Sequence, residues 1–234
     1  MPSANENGFG QKYTKAQGMV EFLNALSSYS PGVTELEPTD IKTFLTTVDS
    51  ANSDVASKLS DLQTNRDLRV NMFQNGGLIK RCGQIRDYIA SIHPQHKKAL
   101  DYKKVQKYVQ SLQGKRVTKK PVNPDGSPGK TNSTSERSYG AMLKIGKDVL
   151  EVIKTVPGYA PTNPELTVAN FTTFLTSVDT QNSTVAAKLE AYDNSVETRS
   201  TLYKELDKKV SKVKLSIASQ YGKDSNEYKD VVKF

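Results

Sequence analysis

Residues 44–59 read FLTTVDSANSDVASKL and residues 174–189 read FLTSVDTQNSTVAAKL, with eleven of sixteen positions identical at a spacing of 130. A long-period match of this kind calls for two copies of one supersecondary unit, and so restricts the fold more than any other feature of the chain. The match extends beyond the block. Arg69 falls on Arg199 and Phe73 on Tyr203, Ile89-Ala90-Ser91 meets Ile217-Ala218-Ser219 at a spacing of 128, and Tyr102-Lys103-x-Val105-x-Lys107-Tyr108 meets Tyr228-Lys229-x-Val231-x-Lys233-Phe234 at 126. Upstream, Pro31-Gly32 pairs with Pro157-Gly158, also at 126. The reading is an internal duplication, with a first repeat over residues 11–114 and a second over 138–234.

Within the duplicated block the apolar positions step alternately by four and three. They run Ile41, Leu45, Val48, Asn52, Val55, Leu59, Leu62, Arg66, Arg69, Phe73 in the first copy, and Phe171, Leu175, Val178, Asn182, Val185, Leu189, Tyr192, Val196, Arg199, Tyr203 in the second. This is the heptad rhythm of a long helix buried along one seam. No Gly or Pro lies between Pro164 and Gly222, and the rhythm continues through Leu206, Val210, Val213 and Ile217, so one continuous helix is expected over 170–219. The first copy carries two extra residues and the turn signal Asn75-Gly76-Gly77, which predicts a break there and a new helix from Leu78. A short helix precedes each long one, over about 13–29 and 139–155, stopped by the two Pro-Gly pairs. Asn163, Pro164 and Glu165 form a helix-start signal. Strand patterns are absent. The expected fold is all-α: an internally duplicated helical bundle, two three-helix units in a pseudo-twofold arrangement, each unit a helical hairpin with a short helix alongside.

Residues 115–137, KRVTKKPVNPDGSPGKTNSTSER, are rich in Pro, Gly and small polar residues and read as a basic linker. Residues 1–10 read as a disordered N-terminus. The net charge is +8, and the excess is local: residues 75–137 hold 14 basic and 4 acidic residues, while the flanking segments are near balance. The longest apolar runs fall well short of a membrane span. A single Cys and the absence of a leader pattern place the chain in the cytoplasm.

Tyr221-Gly222-Lys223-Asp224-Ser225-Asn226-Glu227-Tyr228, together with Thr134-Ser135-Glu136-Arg137, resembles a loose group of uncharacterised bacterial helical proteins with a Tyr-Gly-x-Asp-Ser-x-Glu-Tyr signature. The resemblance covers about the last third of the chain. It implies a bacterial, helical protein and assigns no activity or site residue.

Four features invite a functional reading. Asp49, Asn52 and Arg69, matched by Asp179, Asn182 and Arg199, form a candidate buried polar layer. Such a layer sets register and partner in helical seams, and each Arg is expected to be partly buried against a carboxylate. Lys97, Lys98, Lys103, Lys104 and Lys107, followed by Lys115, Arg116, Lys119 and Lys120, form a candidate polyanion-binding segment with Tyr102 and Tyr108 interleaved. His93-Pro94-Gln95-His96 supplies two imidazoles without a third ligand, and Cys82 stands at an apolar seam position. No phosphate loop, catalytic triad or Glu-x-x-His pair is present. With 35% hydrophobic residues and a mean hydropathy of −0.59, the chain is also lean for a compact enzyme.

The expectation is therefore a non-enzymatic structural, scaffold or protein-interaction protein, without cofactor or metal, that self-associates or binds a protein partner. Nonspecific nucleic-acid binding through residues 97–120 is one alternative. A small-ligand or catalytic groove between the repeats is the other.

Overall fold

The computed structural model describes residues 4–74, 76–113 and 138–234, with side chains from Gly8 onward. The basic segment 115–137, with Lys115, Arg116, Lys119 and Lys120, lies outside the described residues. Those described form seven α-helices and no strand: α1 (Ala4–Ala25), α2 (Pro38–Phe73), α3 (Leu78–Ile92), α4 (Leu100–Gln113), α5 (Tyr139–Thr155), α6 (Val168–Tyr221) and α7 (Asn226–Val231). The fold is an all-α helical bundle.

Within the segment 1–10, expected to be disordered, the described residues from Ala4 on belong to α1. Its early turns gain a distant partner: the Phe9 ring stacks on Tyr203 at 4.4 Å between centroids. Aromatic stacking of this kind contributes about 0.5–1.5 kcal/mol beyond area burial, and local composition carries no trace of it.

α6 runs unbroken for 54 residues, as its lack of Gly and Pro predicts. Its many Ser and Thr side chains hydrogen-bond back to carbonyls four residues earlier, as Thr172, Thr176 and Thr184 do. That back-bonding satisfies the hydroxyls without opening the helix. α2 follows the same course to Phe73 and then stops. Gly76 takes φ +92°, and a Cβ on Gly77 would lie 1.8 Å from the Met72 carbonyl oxygen, so only glycine fits there.

The turns after α1 and α5 correct one sequence pairing. Each turn is followed by a 3-10 turn, Thr34–Leu36 and Pro164–Leu166, 130 positions apart. In that register Pro157-Gly158 stands at the tight turn just after α5, whereas Pro31-Gly32 lies four residues deeper, before the 3-10 turn. The two Pro-Gly pairs are not equivalent, and Tyr29 and Tyr159 are. Tyr29 Oη donates to Leu36 O at 3.2 Å and Tyr159 Oη donates to Leu166 O at 2.9 Å. The helix-start signal at Asn163 is used as expected, its side chain accepting from Glu165 N at 3.0 Å.

The chain divides into two compact units, and they do not follow the boundaries 11–114 and 138–234. One comprises the residues up to Asp61 together with Leu189–Phe234. The other is Leu62–Lys188. α2 and α6 therefore each contribute to both. In the first unit α1, the front of α2, the back of α6 and α7 enclose a core of Met19, Leu23, Ile41, Val48, Tyr203 and Ile217, among others. In the second, the end of α2, α3, α4, α5 and the front of α6 enclose Phe73, Ile85, Val109, Val149 and Phe171, among others. The expected hairpin within each repeat is met only by α3 and α4. Each core also joins helices of one repeat, α1 with the front of α2 and α5 with the front of α6, and is completed by helices from the opposite half of the chain.

The alternating apolar positions are buried towards the two ends of α2 and α6. Between them the pattern loosens: Leu189 is 39% exposed, and Ser195 is buried where the spacing favoured Val196. Val55, Leu62 and Val185 stay buried within that stretch.

Candidate functional site

Of the six residues expected in a buried polar layer, the two carboxylates are in solvent. Asp49 and Asp179 are exposed on α2 and α6, and Asp179 accepts from Lys147 Nζ at 2.8 Å. They stand one residue past the buried Val48 and Val178, which turns them off the packed face. The other four turn inward, and three of them, Asn52, Arg69 and Arg199, meet an aromatic ring or hydroxyl there.

In the first unit Asn52 Nδ2 donates to Tyr203 Oη at 3.1 Å. Arg199 is 6% exposed, with its guanidinium carbon 5.0 Å from the centre of the Phe9 ring. In the second unit the guanidinium of Arg69 lies 4.0 Å above Tyr139, which also meets Phe73 at 4.9 Å. Among the described residues no carboxylate pairs with Arg69, so an aromatic face replaces the expected carboxylate. A desolvated cation over an aromatic face gains about 2 kcal/mol and avoids burying a second charge. Asn182 lacks the counterpart of the tyrosine hydroxyl, since Phe73 stands where the other unit has Tyr203, and its Oδ1 is buried without a hydrogen-bond partner.

A second clamp was not anticipated in the sequence. Arg81 lies 4.2 Å over Phe174, donates to Glu165 O at 3.3 Å, and pairs with Glu165 Oε1 at 3.2 Å. In the other unit two lysines share this task. Lys209 lies 5.4 Å from Phe44 and donates to Glu35 O at 3.1 Å, while Lys212 donates to Glu35 Oε1 at 2.7 Å. The Lys212 hydrogen bond holds the Glu35 carboxyl below its ordinary range. Glu35 and Glu165, and Phe44 and Phe174, are each 130 apart in sequence. That spacing, extended beyond the identical block, was the available signal for the clamp, as was the recurrence of an aromatic at 9 and 139.

The described part of the basic segment is fully displayed. Lys97 and Lys98 occupy a 3-10 turn, and Lys103, Lys104 and Lys107 lie on α4 on the side away from the buried Val105, Val109 and Leu112; all five are exposed. Lys104 is 3.8 Å from Asp101. Tyr102 and Tyr108 are partly buried against the core, which reduces the ring surface they offer for stacking on bases.

His93 and His96 do not converge: His93 Nδ1 accepts from Gln95 N at 3.1 Å, and His96 is an exposed turn residue at φ +46°. Among the described residues no group of three or more His, Cys, Asp or Glu side chains could hold a metal ion. Cys82 is fully buried, and burial pushes its thiol up to about 12. It is therefore protonated and shielded, the opposite of an activated nucleophile. No described helix is long and apolar enough to cross a membrane.

No protein-family model matches this chain, and no curated protein or solved structure matches it.

Proposed function

We propose that this chain is a tandemly duplicated, non-catalytic scaffold whose heptad-patterned helices serve binding or assembly. One observation carries the reading: most polar residues at repeat-matched positions, Asp49, Asp179 and Asn182 apart, are occupied in holding helices together. Asn52 is bonded to Tyr203, Arg69 and Arg199 lie on rings, and Arg81, Lys209 and Lys212 clamp Glu165 and Glu35. What faces solvent on the long helices is mostly Thr, Ser, Asp and Lys, with Leu68, Leu189 and Leu215 exposed among them. Light scattering coupled to size exclusion, over a range of concentrations, tests this. A mass rising above the 25.8 kDa of one chain is the expected result. A strictly monomeric protein overturns self-assembly.

The exposed lysines of α4 and the preceding turn favour a second reading, nonspecific polyanion binding. Replacing Lys103, Lys104 and Lys107 by Gln would then weaken heparin or DNA retention and flatten its salt dependence. Absence of any retention at low salt would remove this reading.

A further inference from the structure

Each compact unit is made from both repeats, and the contacts that hold it are reciprocal. Arg69 of the first repeat lies on Tyr139, at the head of the second. Arg199 of the second lies on Phe9, in the segment of α1 just ahead of the first. Phe73 meets Tyr139 as Tyr203 meets Phe9. Arg81 reaches forward to Glu165, while Lys209 and Lys212 reach back to Glu35. Every one of these contacts joins one repeat to the other.

The cores obey the same rule. One takes Leu78, Ile85, Val105 and Leu112 from the first repeat and Met142, Val149, Phe171 and Val178 from the second. The other takes Met19, Leu23, Ile41 and Val48 from the first, and Tyr203, Leu206, Val213 and Ile217 from the second. A repeat by itself thus leaves two apolar half-cores uncovered. Covering them is the main driving force for folding.

The two units differ in how their outer helices are covalently connected. α4 and α5 pack in one unit and are consecutive helices joined through residues 114–137. Their counterparts in the other unit, α7 and α1, lie at opposite ends of the sequence and share the same core, with Phe234 meeting Phe22 at 5.9 Å. One unit therefore closes without the link that the other has.

We propose that the two repeats are separable binding partners, so that either repeat of one copy can be replaced by the same repeat supplied from a second copy. Each unit would then be built between chains from the same residues that build it within one chain, which is the condition for exchange of an element between copies. The inference stands on the reciprocal contacts and is independent of the scaffold reading, since exchange needs no other partner.

The test uses the full chain with a specific protease site inserted within 120–130. After complete cleavage the two pieces should co-elute at the mass of the uncut protein, with unchanged helical content and a single melting transition. Next, cut protein tagged before Met1 is mixed with an equal amount of untagged, isotopically heavy cut protein, unfolded in guanidinium, refolded, and captured on the tag. Light and heavy C-terminal pieces should be recovered at about 1:1. Separation or precipitation of the pieces after cleavage, or capture of the tagged piece alone, overturns the proposal. Should the inserted site itself disturb folding, co-expression of residues 1–120 and 121–234 as two chains gives the same readout, and failure of the two to co-purify overturns it equally. Self-association of the uncut chain has no bearing on either outcome, so failure here and failure of the scaffold reading are distinguishable.

Discussion

In one unit the Asn52 amide rests on the Tyr203 hydroxyl; in the other the matching tyrosine is Phe73, and Asn182 Oδ1 is buried with nothing to accept from. In one unit α6 runs through without a break; in the other α2 gives way to α3 at Gly76-Gly77. Both units nonetheless place an Arg on an aromatic ring 130 residues from its counterpart and clamp a matched glutamate. The contrast separates what packing requires from what it tolerates. Ring faces and apolar side chains recur because they fill the core. A hydroxyl and two residues of helix differ because each changes the energy by an amount the rest of the unit can absorb.

The largest effect expected is at the break. Gly77→Ala would drive a Cβ into the Met72 carbonyl and should destabilise the protein by about 3 kcal/mol or more. Ala in place of an ordinary helix residue at the aligned stretch of α6, such as Lys204→Ala, should change stability by under about 0.5 kcal/mol. Urea denaturation of the two variants would show whether the asymmetry is real. The converse change is deletion of Gly76 and Gly77, which sets Phe73 and Leu78 at the spacing of Tyr203 and Leu206. It should join α2 and α3, read as new amide-exchange protection across the junction; an unprotected junction would show that the break has another cause.

Next come the cation–ring contacts. Arg199 is nearly inaccessible and Arg69 is only half-buried. Arg199→Ala should therefore cost about 2 kcal/mol and Arg69→Ala about 1 kcal/mol. Equal losses in thermal melts would mean that burial does not set the strength of these contacts.

The missing hydroxyl gives a smaller and signed test. Tyr203→Phe should cost about 1 kcal/mol by removing the partner of Asn52, making the first unit like the second. Phe73→Tyr should recover a comparable amount by offering a donor to Asn182 Oδ1. A neutral or negative result for Phe73→Tyr would indicate that the site has no room for the oxygen.

At neutral pH the smallest effect belongs to Cys82, which stands where the first unit has Val210. Its folded-state thiol is raised from 9.0 to about 12, so the folded protein keeps its proton after the unfolded chain has lost it. The stability this represents is fully present below pH 9 and is lost as pH rises from about 9 to about 12, at no more than about 1.4 kcal/mol per pH unit. Cys82→Val should remove that component of the alkaline slope. The native thiol should also resist alkylating reagents until the protein is unfolded, and rapid labelling of the folded protein would contradict its burial.

Much of the helix content could be read from residue types in order. The absence of Gly and Pro after Pro164 gives α6, Gly76-Gly77 gives the break, and Asn163 gives the turn before α6. The polar layer was legible only in part. Asn52, Arg69, Asn182 and Arg199 do turn inward, but Asp49 and Asp179 do not, because one residue past a buried valine the carboxylate leaves the packed face and stays in water. The second clamp was missed because Arg81 corresponds to a pair of lysines, and no identity marks the match.

Periodicity along the chain determined which face of each helix is apolar, since that depends only on neighbours three and four residues away. It left open what that face packs against. A hairpin within each repeat and a pairing between repeats bury the same leucines, valines and isoleucines, so the local pattern is equally content with both. The choice fell to contacts far apart in sequence: Arg69 with Tyr139, Arg199 with Phe9, Arg81 with Glu165. Such contacts have a definite energy only once the chain has brought their partners together, and the tertiary structure decided the pairing through them.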